Sequence, residues 1–411
     1  MEADDVSLAF RLLLQPWKWL AKEPVEKFEK EIEYYMNNGD GNESFTPAFK
    51  AVAFDSARSS LYLLLKAYGI GEGDEVIMPS FTCVVIVNSV LAAGAKPVYI
   101  DTDPKTFNIK LDEIEKKINA RTAAILVQHT FGTPVDVKKV RKIVGPRVKI
   151  IEDLAHILGG EVEGQKFGTL PESDAAILTF GIEKMISTMR GGMALVKDKE
   201  VYKKLKEKQV GLSKFDRDMV FTWLLNPLIW GIANPFYYVG IGKVTFGRVV
   251  SYLAHKFGLM GNIMEKPEYK GKWPDWMPAQ MPGALAEIGR KQLGKIEKFN
   301  EHRREIAKIY DEELGFNYSK NFGYTPLRYP VLVKDPAKVH RLLKKEHIIA
   351  GNWYHKFLFT EEKYLQELYL SPKDLPELVK VTEHIINLPV FIRVDSSDAQ
   401  KIAKIVKPHL L

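Results

Sequence analysis

One lysine and one aspartate stand where a parallel sheet would bring them together. Asp153 ends the apolar run VKIIED, and Lys184 follows the apolar run ILTF within ILTFGIEKMISTMRGG. Groups that follow neighbouring parallel strands meet in the crevice at the carboxyl edge of the sheet. An amine facing a carboxylate there suits covalent chemistry on a carbonyl group. Taken singly, Asp153 is also consistent with a loop cap, and Lys184 with an exposed surface group.

A candidate phosphate site lies in FDSARSSL, residues 54–61, where a turn of small residues opens a helix. The free amides and the positive dipole end of a helix N-terminus suit a dianionic phosphate. Thr179, in the ILTF run, is a further donor to the same group. The alternative is an ordinary Ser or Asp N-cap, since no glycine-rich fingerprint is present.

An amine, a carboxylate and a phosphate site are the three parts that pyridoxal 5'-phosphate (PLP) chemistry needs. Lys184 would bind the cofactor covalently as a Schiff base. Asp153 would keep the pyridine nitrogen protonated, which makes the ring an electron sink. His156 follows Asp153 by three residues, within reach of the ring oxygen. The sequence therefore predicts a PLP site, with Lys184 as its catalytic residue.

The elements that must position these groups alternate between helix and strand from about residue 50 to 200. Short apolar strands separated by helices indicate βαβ units and a mostly parallel sheet covered on both faces. We predict helices at 59–68, 82–93, 111–118 and 137–144, and strands at 75–78, 97–100, 123–127 and 148–151.

The C-terminal third has a different pattern. Apolar residues recur every three to four positions across 284–314, which predicts one long connecting helix. Beyond it, a strand at 329–333 and helices at 337–346 and 399–406 predict a small α+β domain. We therefore divide the chain into an N-terminal helical segment, a large cofactor domain with an apolar insert, and the connector with the small domain. Their bounds are 1–50, 51–285 with the insert at 215–280, and 286–411.

Composition and charge argue against disulfides, metal ions and nucleic acid as features or partners of this protein. The 411 residues include one cysteine, Cys83, so no intrachain disulfide and no cysteine-rich metal site can form. We expect no metal and a reducing, cytoplasmic compartment, since the acidic N-terminus lacks the pattern of a secretory signal. The net charge is +7, but basic residues alternate with acidic ones along helical stretches. No nucleic-acid motif is present, so nucleic acid is not an expected partner.

Two apolar segments carry four of the seven tryptophans, namely residues 10–22 and 219–242. The second has no charged residue, but Asn226 and Asn234 each precede a proline, which disfavours a continued helix. A membrane-spanning helix is therefore not expected, although the length would nearly suffice. Either the two segments bury against each other or across a dimer, or they make peripheral contact with the membrane through their aromatic and basic residues.

The order of motifs resembles the DegT-like aminotransferases, which act on nucleotide-linked keto-sugars. The resemblance covers about residues 50–200 and 280–411. The matching stretches are SARSSLYLLLKAYGIGEGDEVIMPSFTC, GAKPVYIDTDPKTFNI, VQHTFGTPVD, IIEDLAHILGG, DAAILTFGIEKMISTMRGGMAL, MPGALAEIGRKQL and INLPVF.

This resemblance implies the fold, the activity and further site residues. It implies a type I PLP-transferase fold, ping-pong transamination with glutamate as donor, and a homodimer with active sites at the interface. Lys184 matches the Schiff-base lysine and Asp153 the pyridinium partner, while His156 matches the residue at the ring hydroxyl. The phosphate ligands correspond to Ala57, Arg58 and Thr179. His129 matches a pocket histidine, and Trp353 and Tyr354 are either substrate-pocket residues or core of the small domain.

Four departures from the family pattern stand out. Cys83 replaces an aromatic that stacks on the cofactor, a contact that Phe81 could replace. Arg58 replaces a small threonine and could supply charge to the phosphate. Residues 278–280 read Pro-Ala-Gln where the family has Asn-Tyr-Arg, and about 65 residues from 215 to 280 have no good match. They leave a non-catalytic PLP-binding regulator or scaffold as an alternative. A sugar dehydratase is disfavoured, because that branch has histidine at the position of Lys184.

Overall fold

The computed structural model describes residues 2–38, 47–237, 239–241 and 244–411. Its centre is a seven-stranded sheet with the strand order β1-β7-β6-β5-β4-β2-β3, in which only β7 runs against the others. The strands are β1 (Lys50–Phe54), β2 (Glu75–Pro79), β3 (Lys96–Ile100), β4 (Thr122–Gln128), β5 (Lys149–Asp153), β6 (Ala175–Thr179) and β7 (Gly192–Val196).

Helices cover both faces of this sheet. Side chains alternate across each strand, so that Val76 and Met78 enter one apolar cluster and Ile77 the other. The helices up to the insert are α1 (Ala3–Leu13), α2 (Glu23–Met36), α3 (Ala57–Tyr68), α4 (Val84–Ala92), α5 (Leu111–Lys117), α6 (Val137–Val144), α7 (Lys199–Gly211), α8 (Arg217–Ala233) and α9 (Phe246–Lys256). Two short hairpins pair Glu161–Val162 with Gln165–Lys166 and Gly240–Ile241 with Val244–Thr245. The predicted α/β class with a mostly parallel sheet is confirmed.

The C-terminal part contains a two-stranded antiparallel sheet and five α-helices among the described residues. They are α10 (Gly283–Leu293), α11 (Ile296–Leu314), β8 (Tyr329–Leu332), α12 (Pro336–Lys345), α13 (Pro376–His384), β9 (Ile385–Leu388) and α14 (Ser396–Val406). The α+β content follows the expectation for this region, while the proposed domain boundaries stay a prediction.

The single helix predicted across 284–314 is wrong, because the chain forms α10 and α11 with a break at Gly294 and Lys295. Glycine is a poor helix former. The Nζ of Lys295 is held by the carboxylates of Asp4 and Asp5, at 2.6 and 2.9 Å. The apolar periodicity continues across Gly294 and Lys295, so it could not reveal that the helix is interrupted there.

The helix break expected at Asn226-Pro227 is also wrong, whereas the one at Asn234-Pro235 is correct. Helix α8 continues through Pro227 and ends at Ala233. Asn226 and Pro227 are buried where α8 packs against α1 and α9. Tertiary packing there offsets the hydrogen bond that proline removes. Among the described residues, no helix combines the length and the apolar character needed to cross a bilayer.

Candidate active site

The site forms where β5 and β6 end side by side. Asp153 is the last residue of β5 and pairs in register with Ile177 of β6. The chain leaves β6 at Thr179 and reaches Lys184 five residues later. Asp153 is buried, and its Oδ1 accepts a hydrogen bond of 2.9 Å from the amide of Ala155. The sheet thus brings the amine and the carboxylate to one edge, as the strand pattern predicted.

Burial and neighbouring charges tune the two groups in opposite directions. Burial lowers the pKa of Lys184 to about 8, and the Asp153 carboxylate opposes part of that shift. Burial raises the pKa of Asp153, against the hydrogen bond from Ala155 and the charge of Lys184. A lysine with such a pKa is partly deprotonated near neutral pH, which a nucleophile or a general base requires.

Three stacked rings lie next to Lys184 and Asp153. His156 stacks on Phe131 and on Trp353, with centroids 5.6 Å apart in both cases. Its Nδ1 accepts a hydrogen bond of 3.1 Å from the Phe131 amide, so the proton of the neutral ring lies on Nε2. Burial, followed by the charges of Lys184 and Arg328, holds the pKa of His156 well below its usual range. His156 therefore offers a neutral ring with one N–H donor.

Trp353 comes from the C-terminal part of the chain and joins the site directly. The Nζ of Lys184 lies 4.7 Å from its ring centroid, and the guanidinium carbon of Arg328 lies 3.9 Å from the same centroid. Tyr354 is buried and meets Phe81 edge to face at 5.3 Å. The structure thus places Trp353 at the amine and Tyr354 behind it.

Two other predicted residues lie close by with different surroundings. Cys83 occupies the N-cap position of α4 without a side-chain cap hydrogen bond, and removal of its thiol from solvent raises the pKa of that group. Phe81, which could have replaced the missing aromatic, is instead enclosed by Phe107, Phe131 and Tyr354. The ring next to the amine is therefore Trp353 rather than Phe81.

His129 is fully buried behind the site rather than open to it. Its Nε2 is 2.9 Å from an Oε atom of Glu152, and its Nδ1 accepts a hydrogen bond of 3.0 Å from the Val135 amide. The same Glu152 also accepts from the amide of Gly168. Because both ring nitrogens are engaged within the fold, the geometry gives His129 a role in holding β4 and β5.

The predicted phosphate site is the N-terminus of α3. Ser56 caps the helix by accepting from the amide of Ser59, while the first amides, at Ala57 and Arg58, have no partner within the helix. Strand β7 begins against these amides at Gly192, where an added Cβ would lie 2.1 Å from the nitrogen of Ala57. Thr179, at the end of β6, pairs with Gly192. Only glycine lets the strand come this close.

The side chain of Arg58 is paired with the insert. Its guanidinium forms an ion pair with the buried Glu268 and donates to the carbonyl of Ile263 at 2.8 Å. A second buried arginine, Arg190, lies 3.3 Å from Asp55. Burial lowers the pKa of Arg190, and Arg58 contributes to that shift. Two arginines and two carboxylates therefore surround the start of α3.

The segment that departs from the family pattern at 278–280 binds within its own chain. Ala279 and Asp55 form two hydrogen bonds. The amide of Ala279 donates to Oδ1 of Asp55 at 3.0 Å, and the amide of Asp55 donates to the carbonyl of Ala279 at 3.1 Å. The side chain of Gln280 donates to the carbonyl of Leu212 at 3.0 Å. This segment therefore anchors the residue that precedes the α3 cap.

Three residues of the site were not predicted from the sequence: Arg190, Glu268 and Arg328. Arg190 lies in the quoted MRGG stretch, so its position close after Lys184 was an available signal. Arg328 precedes the predicted strand at 329–333 and forms an ion pair of 2.6 Å with Glu183. Glu268 lies in the unmatched insert, where no local pattern marked it.

A separate cavity of about 950 Å³ lies between α1, α2 and α10. Several of its charged side chains form ion pairs, as in Arg290 with Glu31 and Lys291 with Asp4. It includes none of the predicted site residues. In the part of the chain that the structure describes, no cluster of three His, Cys, Asp or Glu residues could hold a metal ion.

Comparison with known proteins gives consistent matches. A family profile, "DegT/DnrJ/EryC1/StrS aminotransferase family", matches residues 5–222 and 261–407. The GDP-perosamine synthase of Caulobacter vibrioides is 38% identical over 256 residues, which cover 60% of this chain and 68% of that protein. An uncharacterized protein of Methanocaldococcus jannaschii is 29% identical over 372 residues, covering 87% and 85%.

Solved structures show the same fold. DesV of S. venezuelae, crystallised with a ketimine intermediate, superposes with a TM-score of 0.72 at 20% identity, covering 99% of this chain and 94% of that one. PseC of Helicobacter pylori, an aminotransferase of pseudoaminic acid biosynthesis, has a TM-score of 0.71 at 21% identity, covering 99% and 96%. The family profile leaves residues 223–260 unmatched, which lie within the apolar insert.

Proposed function

Because the chain belongs to the DegT/DnrJ/EryC1/StrS aminotransferase family, we propose that it moves an amino group from glutamate to a keto-sugar carried on a nucleotide. The family match confirms the predicted enzyme class, an aminotransferase, and the predicted cofactor, PLP. The donor and the acceptor are the proposed parts. Support for a nucleotide-linked acceptor comes from the GDP-perosamine synthase relative and from the net charge of +7, which suits a phosphorylated substrate.

The residues present fit PLP. Lys184 would attach it, Asp153 would face the pyridine nitrogen, and the amides of Ala57 and Arg58 would hold the phosphate, with Thr179 as a further donor. The absence of a Cβ on Gly192 leaves the nitrogen of Ala57 free of a side chain that would lie 2.1 Å from it. When bound, PLP supplies the electron sink that stabilises negative charge at the carbon losing a proton.

The chain's own groups then handle the proton. As an uncharged amine, the Nζ of Lys184 would take the proton from the donor's α-carbon. Because the pKa of Lys184 is about 8, roughly a tenth of this lysine is in the uncharged amine form at pH 7. Asp153 would stabilise a cationic ring nitrogen, and neutral His156 would offer its Nε2 proton to the ring oxygen. The observation that carries this mechanism is the convergence of Lys184 and Asp153 at one strand edge.

Replacing the lysine tests the mechanism. Lys184→Ala should remove the visible absorbance that the protein gains with PLP and should abolish turnover. The exposed Lys197→Ala serves as the matched control and should retain both. The holoprotein should turn from yellow to colourless with glutamate and recover with a keto acid. If absorbance and turnover persist in Lys184→Ala, the assignment is wrong.

A screen of acceptors tests the substrate. The aminated holoprotein should recover its colour with a nucleotide-linked keto-sugar and more slowly with the free keto-sugar. Trp353 and Arg328 lie beside the amine and are proposed to contact the acceptor. Recovery with simple keto acids alone would contradict a sugar acceptor while leaving the transaminase chemistry intact.

We further propose a cytoplasmic homodimer with peripheral membrane contact through residues 10–22 and 219–242. Helices α1 and α8 pack together, with Trp19 and Phe221 rings 6.2 Å apart. The expected mutual burial is therefore present on their inner sides. Their outer sides still expose Phe10 and Trp17. Light scattering tests the dimer, and flotation with anionic liposomes tests the membrane contact.

A further inference from the structure

Exposed apolar side chains concentrate in one part of the insert. Eleven of them between residues 232 and 263 are exposed by 40% or more: Ile232, Phe236, Val239, Val244, Phe246, Val249, Tyr252, Leu253, Phe257, Leu259 and Ile263. Single exposed apolar residues are ordinary on soluble proteins, but a cluster of this density marks an interaction surface. Most of these residues lie outside the segments 10–22 and 219–242.

Helix α9 has its larger apolar side chains on the outside. Phe246, Val249, Tyr252 and Leu253 share an exposed face about 120° wide, to which Phe257 adds just beyond the helix end. The buried face consists of small residues, Gly247 and Ala254. An ordinary surface helix buries its large apolar side chains, so α9 is oriented for a partner that is itself apolar.

The inner face of α9 is fixed by close packing. An added Cβ on Gly247 would lie 2.3 Å from the ring of Tyr237, so only glycine allows α9 to pack this closely there. Helix α9 also packs on α8, which packs on α1. The apolar residues on the outside of α9, α8 and α1 therefore belong to one folded body.

Charge narrows the identity of the partner. From Met219 to Met264 the sequence contains no aspartate or glutamate, although about six would be expected at the average of the chain. The charged residues in this stretch are Lys243, Arg248 and Lys256, with His255 beside the last. A two-fold contact through α9 would bring the exposed basic residues His255 and Lys256 close to those of a second copy. An anionic surface avoids that repulsion.

Apolar and aromatic side chains flanked by basic residues are the composition of helices that lie in the interface of a bilayer. The N-terminal segment adds to the same body the exposed Phe10, Leu14 and Trp17 together with Arg11 and Lys18. An anionic lipid surface satisfies both the apolar and the charged features of α9, and no helix here needs to cross it.

We propose that α9 and the turn at 257–263 form the main membrane-binding element, lying flat on an anionic bilayer with Tyr252 and Phe257 inserted. This inference rests on the peripheral membrane contact proposed above and assigns it to residues that the two apolar segments do not contain. It does not depend on the identity of the donor or the sugar.

Flotation of the full-length holoprotein tests the proposal. Wild-type protein should float at low salt with vesicles of phosphatidylcholine mixed with phosphatidylglycerol, and more weakly with phosphatidylcholine alone. Phe257→Ser should weaken vesicle partitioning by about tenfold or more, because the aromatic ring that inserts into the bilayer is removed. Phe322→Ser is the matched control, since both phenylalanines are 67% exposed, and it should float like wild type. Lys256→Gln should weaken binding by about fivefold.

Each outcome bears on the proposal. If wild type stays at the bottom at low salt, all membrane contact is refuted. If Phe257→Ser floats like wild type while Trp17→Ser does not, the N-terminal segment binds and α9 does not. If Phe257→Ser instead converts a dimer to a monomer, the surface is an interface between copies. The colour change with glutamate should be unchanged in Phe257→Ser, because this residue lies outside the proposed active site. Flotation and the colour change are separate measurements, and a failed half-reaction in wild type would refute the proposed function alone.

Discussion

The amine of Lys184 should titrate near pH 8 in the cofactor-free protein, and Asp153→Asn should lower this midpoint further. Burial disfavours the ammonium form, and the Asp153 carboxylate partly restores it. The asparagine keeps the shape but removes the restoring charge, so the pKa of the lysine must fall. A shift from 10.5 to about 8 means about 300-fold more free amine at pH 7 than an unperturbed lysine has.

Competitive acetylation across a pH series, read by peptide mass spectrometry, measures this midpoint. The exposed Lys373 in the same digest provides the reference rate. Asp335→Asn, at the cap of α12, controls for the change from carboxylate to amide and should leave the Lys184 midpoint in place. A midpoint near 10.5 in the wild type, or a rise in Asp153→Asn, would refute the electrostatic argument.

The same titration has a consequence for stability. Because the folded pKa of Lys184 is below its unfolded value, the unfolded chain binds more protons between about pH 8 and 10.5. The free energy of unfolding should therefore rise with pH across that window, through this group, by at most about 3 kcal/mol. Lys184→Met should remove this rise, and urea unfolding of the two cofactor-free proteins at both ends of the window measures it.

Two further changes test the surroundings of the site, and a third tests the packing of the C-terminal part. Glu268→Gln should lower the free energy of unfolding by about 3 kcal/mol, since it leaves the buried Arg58 without its carboxylate; unchanged urea unfolding would contradict this. Gly192→Ala should weaken PLP binding by about tenfold or more, because its methyl group collides with the nitrogen of Ala57; fluorescence titration with PLP measures the change. Asp311→Asn should cost about 2 kcal/mol in thermal or urea unfolding, because Asp311 accepts from two amides and one tyrosine hydroxyl.

The parts of the site that could be predicted are those carried by strand ends. Asp153 and Lys184 each follow an apolar strand, and the rule that parallel strands share their carboxyl edge brings them together without knowledge of the rest. His156 follows from its three-residue distance to Asp153. These inferences needed only the local sequence around each strand end, because the strand pattern of the large sheet fixes where those ends meet.

The parts that could not be predicted depend on contacts between distant segments. Glu268 reaches Arg58 across 210 residues, and Trp353 reaches Lys184 from the C-terminal region. The burial of Pro227 within α8 likewise depends on α1 and α9. Local propensity holds no information about such partners. It therefore could not indicate that Arg58 is paired with Glu268, and it predicted a helix break at Asn226 that the structure does not have.

The two departures near the phosphate site belong to one arrangement. Arg58 and Arg190 bring two positive charges to the start of α3, while Glu268 and Asp55 balance them within the same chain. Since Asp55 is also held by Ala279, the altered segment at 278–280 fixes one of these carboxylates. Side-chain charge at the site therefore cancels, and the attraction for a phosphate dianion falls mainly to the helix amides and dipole of α3. Cofactor affinity should accordingly respond more to displacement of the α3 N-terminus than to neutralisation of either ion pair as a whole.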